Sequence, residues 1–336
     1  MSNIDEMYMQ MCFELAKQGM GQVLPNPMVG CVVLNSNGNI VSKGYHKKYG
    51  ENHAERDALL KLTNNEAEGG TLYVNLEPCS HYGKTPPCVD LIIERKIKKV
   101  VIAMRDVNPK VNGIQKLKDA GIDVVTGVLE EDAKFLNRIF IKNMSQKLPY
   151  VVLKTATTLD GKIATKSGDS KWITTSESRN LVYELRKEFD CILTSSNTVI
   201  ADNPSMEHEY KCILDKDLRT DRNAKIYQQG EIYIASKHNT SLIDNELDIK
   251  EVLSYLFSQG IYTVFVECGG KLAGAILREN LIDEIYQFVA PKILNDNTGK
   301  SCFNCYSIDL ISEAKNLKIY DVEKINKDIL IRSIII

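Results

Sequence analysis

His53-Ala54-Glu55 and, beyond an apolar segment, Leu76-Glu77-Pro78-Cys79-Ser80-His81-Tyr82-Gly83-Lys84-Thr85-Pro86-Pro87-Cys88 are the stretches on which the reading of this chain turns. The first stands where a helix is expected to begin, and Pro78-Cys79 follows a predicted strand over 71–76. One imidazole and two thiolates are three ligands of the kind Zn2+ takes, and they leave a fourth position for water, the arrangement of a catalytic site. Zinc on His53, Cys79 and Cys88 would draw the pKa of that water toward neutrality. Glu55, close to His53 and not itself a ligand, is the group expected to carry a proton to a departing amine. On an ideal helix, residues two apart point about 200° from each other, so His53 and Glu55 are expected to reach one water from different sides at a helix end. A purely structural zinc site would need a fourth protein ligand, and His81 is the nearest candidate.

Outward from these stretches, the first half alternates helix-like and strand-like segments. Ile4, Met7, Met11 and Leu15 share one face of a helix over 4–19. Apolar runs at 29–34 and 40–45 flank Asn35-Ser36-Asn37-Gly38-Asn39, which predicts a hairpin. Helices are expected at 53–62, 89–96, 114–120 and 131–142, with strands at 71–76, 100–104 and 122–125. One hairpin followed by alternating elements predicts a mixed sheet with helices on both faces. A polar stretch at 145–149 marks the boundary between a first domain, 1–145, and a second, 149–336. In the second, strands are expected at 150–155, 191–194, 211–214, 232–235, 263–267, 284–290, 317–322 and 329–335, with helices at 177–187, 251–259 and 272–279. Glycines at Gly269 and Gly270, between a strand end and a helix start, would let backbone N–H groups approach a phosphate. No G-x-G-x-x-G opening a helix is present, so a Rossmann domain is not expected.

The chain has 336 residues, 43% of them hydrophobic and 26% charged, which fits two globular domains and excludes disordered or collagen-like classes. Lys and Arg number 42 against 44 Asp and Glu, a formal charge of −2, so nothing in bulk charge draws it to nucleic acid or anionic lipid. No apolar run approaches the roughly 18 residues of a membrane span, and the N-terminus is unlike a signal peptide. Nine cysteines, an odd number scattered without export signals, read as reduced thiols in a cytoplasmic protein. A nucleic-acid-editing deaminase would require basic stripes with stacking aromatics, which the neighbourhood of His53 and Cys79 lacks.

The zinc segment resembles that of the riboflavin-biosynthesis pyrimidine deaminases, in which the insert between the two cysteines is longer than in general cytidine deaminases. Pro25-Asn26-Pro27-Met28-Val29-Gly30 resembles a second hallmark of that family. The likeness runs on through nearly the whole chain, which is similar to the bifunctional family that joins this deaminase to an NADPH-dependent reductase. It implies an α/β protein made of a cytidine-deaminase-like three-layer domain and a dihydrofolate-reductase-like domain. It also implies Zn2+ and NADPH as cofactors, a pyrimidine ribosyl phosphate as substrate, and assembly into a homo-oligomer. In the deaminase, Asn26, His46, His81 and Lys84 match positions that contact substrate. In the reductase, Ala156, Trp172, Thr198, Asp202, Gly269, Gly270, Lys271, Leu272, Ala273, Gly274 and Ala275 match dinucleotide contacts. Ser170, Arg186, Met206 and Glu267 match contacts to the reductase substrate.

One departure stands out. After Ala201-Asp202-Asn203-Pro204 the family reads Ser/Ala-Leu-Thr-x-Arg, with an arginine that helps to bind the substrate phosphate. Here the chain reads Ser205-Met206-Glu207-His208-Glu209, placing carboxylates where a dianion is expected. Either Arg219 or Arg222 substitutes from the next loop, or the reductase is weakened or altered in substrate, or the second domain serves only for assembly. Cys302-x-x-Cys305 is an isolated pair with no partner pair, and Ile334-Ile335-Ile336 reads as the end of a strand.

Overall fold

A computed structural model describes residues 3–63, 65–83, 86–304 and 307–336. The chain divides into two compact units, Met1–Lys147 and Leu148–Ile336. The first contains α1 (Asn3–Lys17), β1 (Gly30–Leu34), β2 (Ile40–Tyr45), α2 (Ala54–Leu59), β3 (Thr71–Leu76), α3 (Cys88–Glu94), β4 (Lys99–Met104), α4 (Gly113–Asp119), β5 (Asp123–Thr126), α5 (Glu130–Leu136) and α6 (Arg138–Gln146).

Its five strands lie in the order β2-β1-β3-β4-β5. The hairpin expected at Asn35–Asn39 forms because the Asn35 side chain accepts hydrogen bonds from the Asn37 and Asn39 N–H groups, both at 3.0 Å. Gly38 supplies the positive φ of the turn. Two further glycines decide the layering. Gly30 pairs with Tyr45, and Cys31 with Gly44, so Gly30 and Gly44 face opposite sides of the sheet. A Cβ on Gly30 would lie 2.0 Å from the Cys12 carbonyl oxygen in α1, and one on Gly44 would lie 2.5 Å from the Ala58 nitrogen in α2. Helices α1 and α2 therefore press on opposite faces, each at backbone contact distance. Gly30→Ala is expected to destabilise this unit by about 3 kcal/mol, the upper end for overpacking, because the obstructing atom is backbone; a lower urea midpoint for the first transition checks it.

One expected element divides in two. The helix predicted over 131–142 breaks at Asn137, whose side chain accepts from the Met28 N–H (2.8 Å) and donates to the Met28 carbonyl (3.1 Å). Asn75 holds the same segment from the other side, accepting from Gly30 N–H at 2.8 Å and donating to the Met28 carbonyl at 2.9 Å. The stretch expected to be a polar connector from Ser145 is helical as far as Gln146.

The second unit contains β6 (Tyr150–Thr158), β7 (Lys162–Ala164), α7 (Ser176–Arg186), β8 (Cys191–Ser195), α8 (Ser196–Asp202), β9 (Tyr210–Leu214), β10 (Glu231–Ala235), β11 (Leu242–Ile243), β12 (Glu246–Leu247) and α9 (Ile249–Ser258). It continues with β13 (Thr263–Glu267), α10 (Gly270–Arg278), β14 (Glu284–Ala290), β15 (Lys300–Ser301), β16 (Leu317–Ile325) and β17 (Asp328–Ile335). Eight strands form one sheet in the order β10-β9-β8-β13-β6-β14-β17-β16. From β10 to β14 neighbours run parallel, and β17 and β16 close the sheet antiparallel. One face packs Val151, Leu153, Val264 and Val266 against α9 and α10. On the other, Phe265 stacks on Phe189 at 4.8 Å, and Ile192, Val199, Met206, Ile213 and Ile226 make a smaller apolar cluster. The carboxyl ends of β6, β8 and β13 thus share one edge, where open α/β sheets hold their ligands.

Candidate metal centre and strand-end site

His53 lies just before α2, with extended backbone (φ −66°, ψ 162°) and no side-chain capping bond. The expectation drawn from an ideal helix therefore does not apply: His53 is outside the helix while Glu55 is in its first turn, so both face one point. Cys79 comes from the loop after β3, and Cys88 is the first residue of α3. The Cys79 and Cys88 Sγ atoms lie 3.4 Å and 3.5 Å from His53 Nδ1. All three ligand atoms fall within 4.8 Å of one another, and among the described residues no other His, Cys, Asp or Glu joins them. Two thiols and one imidazole, half-buried or buried and converging on one point, suit Zn2+ with a fourth position left over.

The electrostatics agree with metal binding. Hydrogen bonding from the Cys88 thiol, aided by the His53 imidazole, holds the Cys79 thiol down to about 4 against the cost of burial, so that sulfur is poised as a thiolate ligand. Glu55 is 3% exposed. Burial, with the negative charge at Cys79, pushes its carboxyl up to about 7, where a group both takes and gives protons near neutral pH.

A cavity of about 290 Å³ opens over this centre, lined by Asn26, His46, His53, Glu55, Cys79 and His81 among others. The His46 Nδ1 lies 3.0 Å from the Asn52 carbonyl, which fixes the proton on that nitrogen and leaves Nε2 to accept from Asn26 Nδ2 at 3.1 Å. Burial pushes the His46 imidazole below its ordinary value, in keeping with a neutral ring. Asn26 and His46 thereby orient each other at the wall. Lys84 lies outside the described residues.

In the second unit, Ala156 is on β6, Thr198 is in the first turn of α8 just after β8, and Gly269 precedes α10, at the shared strand ends, while Asp202 closes α8. The Thr155 and Thr157 Oγ1 atoms of β6 are buried and find no hydrogen-bond partner among the described residues, and Gly269 faces open space without a side-chain cap on α10. Unpaired donors beside an uncapped helix start fit a polar cofactor such as a dinucleotide. Gly270 has a separate reason to be glycine, since a Cβ there would lie 2.1 Å from the Ser301 carbonyl. Leu272, Ala273 and Ala275 pack into the core beneath α10, Gly274 is buried, and Lys271 pairs with Glu246 at 2.8 Å.

Ser170 and Trp172 line a cavity of about 300 Å³ with Lys162, Asp169 and Lys292. Trp172 is 62% exposed, with the Arg179 guanidinium over its ring at 4.2 Å, so it is not a core residue. Arg186 Nε donates to Glu267 Oε1 at 2.5 Å, and Lys154 Nζ lies 3.5 Å from Glu267 Oε2. Burial alone would push the Glu267 carboxyl up, but Lys154 and Arg186 hold it below its ordinary value. Met206 is buried in the small apolar cluster.

Residues 2–104 match the cytidine and deoxycytidylate deaminase zinc-binding region, and residues 149–331 match the RibD C-terminal domain. The riboflavin biosynthesis protein RibD of Escherichia coli is 36% identical over 361 residues, covering 97% of this chain and 98% of that protein. That of Aquifex aeolicus is 39% identical over 352 residues, covering 98% of each. The chain belongs to the RibD family. Among solved structures, Acinetobacter baumannii RibD superposes with a TM-score of 0.84 at 37% identity, covering 99% of both chains. A Thermotoga maritima structure described as a diaminohydroxyphosphoribosylaminopyrimidine deaminase/5-amino-6-(5-phosphoribosylamino)uracil reductase gives 0.83 at 36%, again over 99% of both. The two-part α/β organisation expected from the sequence, a cytidine-deaminase-like domain followed by a reductase domain, is that of RibD structures.

Three side chains at these sites escaped the sequence reading. Asp106 and Asn108 line the first cavity, where burial pushes the Asp106 carboxyl up to about 6. Glu77 positions their loop, accepting from the Asp106 and Ile114 N–H groups at 3.3 Å and 2.9 Å. Lys154 is the third; a lysine directly after the apolar run Tyr150-Val151-Val152-Leu153, within one strand, was the available signal.

Proposed function

We propose that the first unit removes the exocyclic amine of a diaminohydroxyphosphoribosylaminopyrimidine and that the second reduces the ribosyl group of the product to ribityl. The observation that carries this reading is the convergence of His53, Cys79 and Cys88 beside the buried carboxyl of Glu55, on a chain that matches RibD proteins end to end. Zinc, when bound by these three residues, supplies a Lewis acid that activates water. Glu55 accepts a proton from the attacking water and delivers it to the leaving amine, which its raised pKa suits. Asn26 and His46 hold the pyrimidine edge, with the donor and acceptor roles of His46 set by the Asn52 carbonyl. His81 and Lys84 complete the substrate contacts.

In the second unit NADPH, when bound, supplies hydride to C1′ of the ring-opened ribosyl amine. Ala156, Trp172, Thr198, Asp202 and the backbone at the start of α10, from Gly269, hold the dinucleotide, while the Leu272, Ala273 and Ala275 side chains pack in the core. Ser170 and the Arg186–Glu267 pair hold the substrate; the Met206 side chain, expected among the contacts, is instead buried in the small apolar cluster. The described cysteines are all free thiols, which supports a cytoplasmic setting; among the described residues no helix is long and apolar enough to cross a membrane. Exposed Leu317, Ile319 and Val322 on the edge strand β16 support assembly with further copies.

The test is a coupled assay. Given zinc, NADPH and the diaminopyrimidine ribosyl phosphate, the purified chain is expected to release ammonia first and to oxidise NADPH only afterwards. Ammonia release without any NADPH oxidation would remove the reductase from the proposal.

A further inference from the structure

Trp172 is exposed, yet three contacts fix the segment that carries it. Its carbonyl accepts from Lys292 Nζ at 2.6 Å. The Arg179 guanidinium lies over its ring at 4.2 Å, and the same side chain donates from Nη1 to the Thr174 carbonyl at 2.8 Å. Arg179 thus ties the indole to the stretch of chain that leads into α7. A guanidinium over an aromatic face is attracted by the ring's quadrupole, and tryptophan is the strongest aromatic partner. With ring and carbonyl both held, an indole that stands in solvent keeps one orientation beside the cavity it lines with Ser170.

The base on which Arg179 stands is firm. Thr175 caps α7 by accepting from Ser178 N–H, and Arg179 N–H donates to the Thr175 carbonyl at 3.2 Å. Asp328, buried at the start of β17, accepts from Thr175 N–H (2.7 Å), Thr175 Oγ1 (2.8 Å) and Ser178 Oγ (2.6 Å). The first turn of α7 is therefore pinned from the last strand of the chain. The arginines to which the sequence points are engaged elsewhere: Arg186 with Glu267, Arg219 with Ser196 Oγ (2.8 Å) and Asn197 Oδ1 (2.6 Å), and Arg222 over the Tyr227 ring at 5.1 Å.

We propose that Arg179 is a positioning residue of the reductase half, holding the Trp172 indole in the orientation in which it meets the dinucleotide, so that NADPH finds this wall already in place. This rests on the assignment of Trp172 to the cofactor above. Order held in the free protein does not have to be imposed when the ligand binds, which favours binding. Without Arg179 the indole gains orientations that NADPH must suppress, and the loss falls on cofactor affinity, not on the hydride step.

The test uses the full chain, NADPH and 5-amino-6-(5-phosphoribosylamino)uracil. Arg179→Gln is expected to raise the KM for NADPH about two- to fivefold, the span of an exposed cation–π contact, and to leave kcat and the KM for the uracil compound unchanged. Trp172 is the only tryptophan, so the emission anisotropy of the NADPH-free protein reports this ring alone, and it is expected to fall in Arg179→Gln. The double variant Arg179→Gln with Trp172→Leu is expected to match Trp172→Leu in its KM for NADPH, because Arg179 acts through the indole. An unchanged KM for NADPH in Arg179→Gln, an unchanged anisotropy, or additive losses in the double variant each overturn the proposal. If Trp172→Leu binds NADPH as the wild type does, the assignment of Trp172 to the cofactor fails and takes the positioning role with it.

Discussion

Glu55→Gln is expected to lower the rate of ammonia release by about 10²- to 10⁴-fold, the span of general acid–base catalysis, with zinc content unchanged. The side chain is buried beside the three ligand atoms but is not one of them. Glutamine keeps the shape and loses the proton traffic. Burial pushes the Glu55 carboxyl up to about 7, so the group gains a proton on taking it from water and parts with it readily to an amine. Zinc analysis beside steady-state ammonia release separates the possibilities. Lost activity with retained metal is the expected outcome. Lost metal would make Glu55 a structural support of the ligands, and retained activity would remove it from the mechanism.

The second large effect is expected from Cys88→Ser, which should weaken zinc binding by more than about 100-fold, beyond the loss typical of residues that only support ligands, and abolish ammonia release. The exchange is nearly isosteric at a fully buried position that opens α3, so the helix should persist. A metal that binds only the folded state raises its stability by mass action. A chelator should therefore lower the thermal midpoint of the wild-type first unit and leave that of Cys88→Ser unmoved. NADPH oxidation with the deaminated substrate should survive in the same variant, since Cys88 and the residues of the second site lie in different units. Equal chelator sensitivity in the two proteins would count against Cys88 as a ligand.

The fold was most legible where side-chain periodicity and turn chemistry agree. Strand bounds at Thr71–Leu76, Thr263–Glu267 and Glu284–Ala290 follow directly from apolar runs ended by turns. Legibility failed where tertiary contacts override local pattern. Nothing in the apolar periodicity over 131–142 announces a break at Asn137; the break exists because its amide is used on Met28, more than a hundred residues away in sequence. Helix α8 was missed because Ser196-Asn197-Thr198-Val199-Ile200 is poor in helix formers, although Ser195 caps it by accepting from Thr198 N–H.

The metal centre was legible as a set of residues but not as geometry. His53 occupies a helix cap position without capping, whereas Thr175 and Asp248 do cap α7 and α9. A residue that forgoes the local hydrogen bond its position favours is free to aim its imidazole at the thiols. That choice resolves the apparent conflict between His53 and Glu55. Asp106 and Asn108 were illegible because a loop after a strand end carries no periodicity, and only the fold brings it into the cavity beside His53 and Cys79.

The central claim is that one chain holds two sites acting in a fixed order, and a single variant tests it most directly. Glu55→Gln, loaded with zinc and NADPH, is expected to oxidise NADPH when given 5-amino-6-(5-phosphoribosylamino)uracil and to leave NADPH untouched when given the diaminopyrimidine precursor. Oxidation with the precursor in the absence of ammonia release, or none with the uracil compound, would contradict the account.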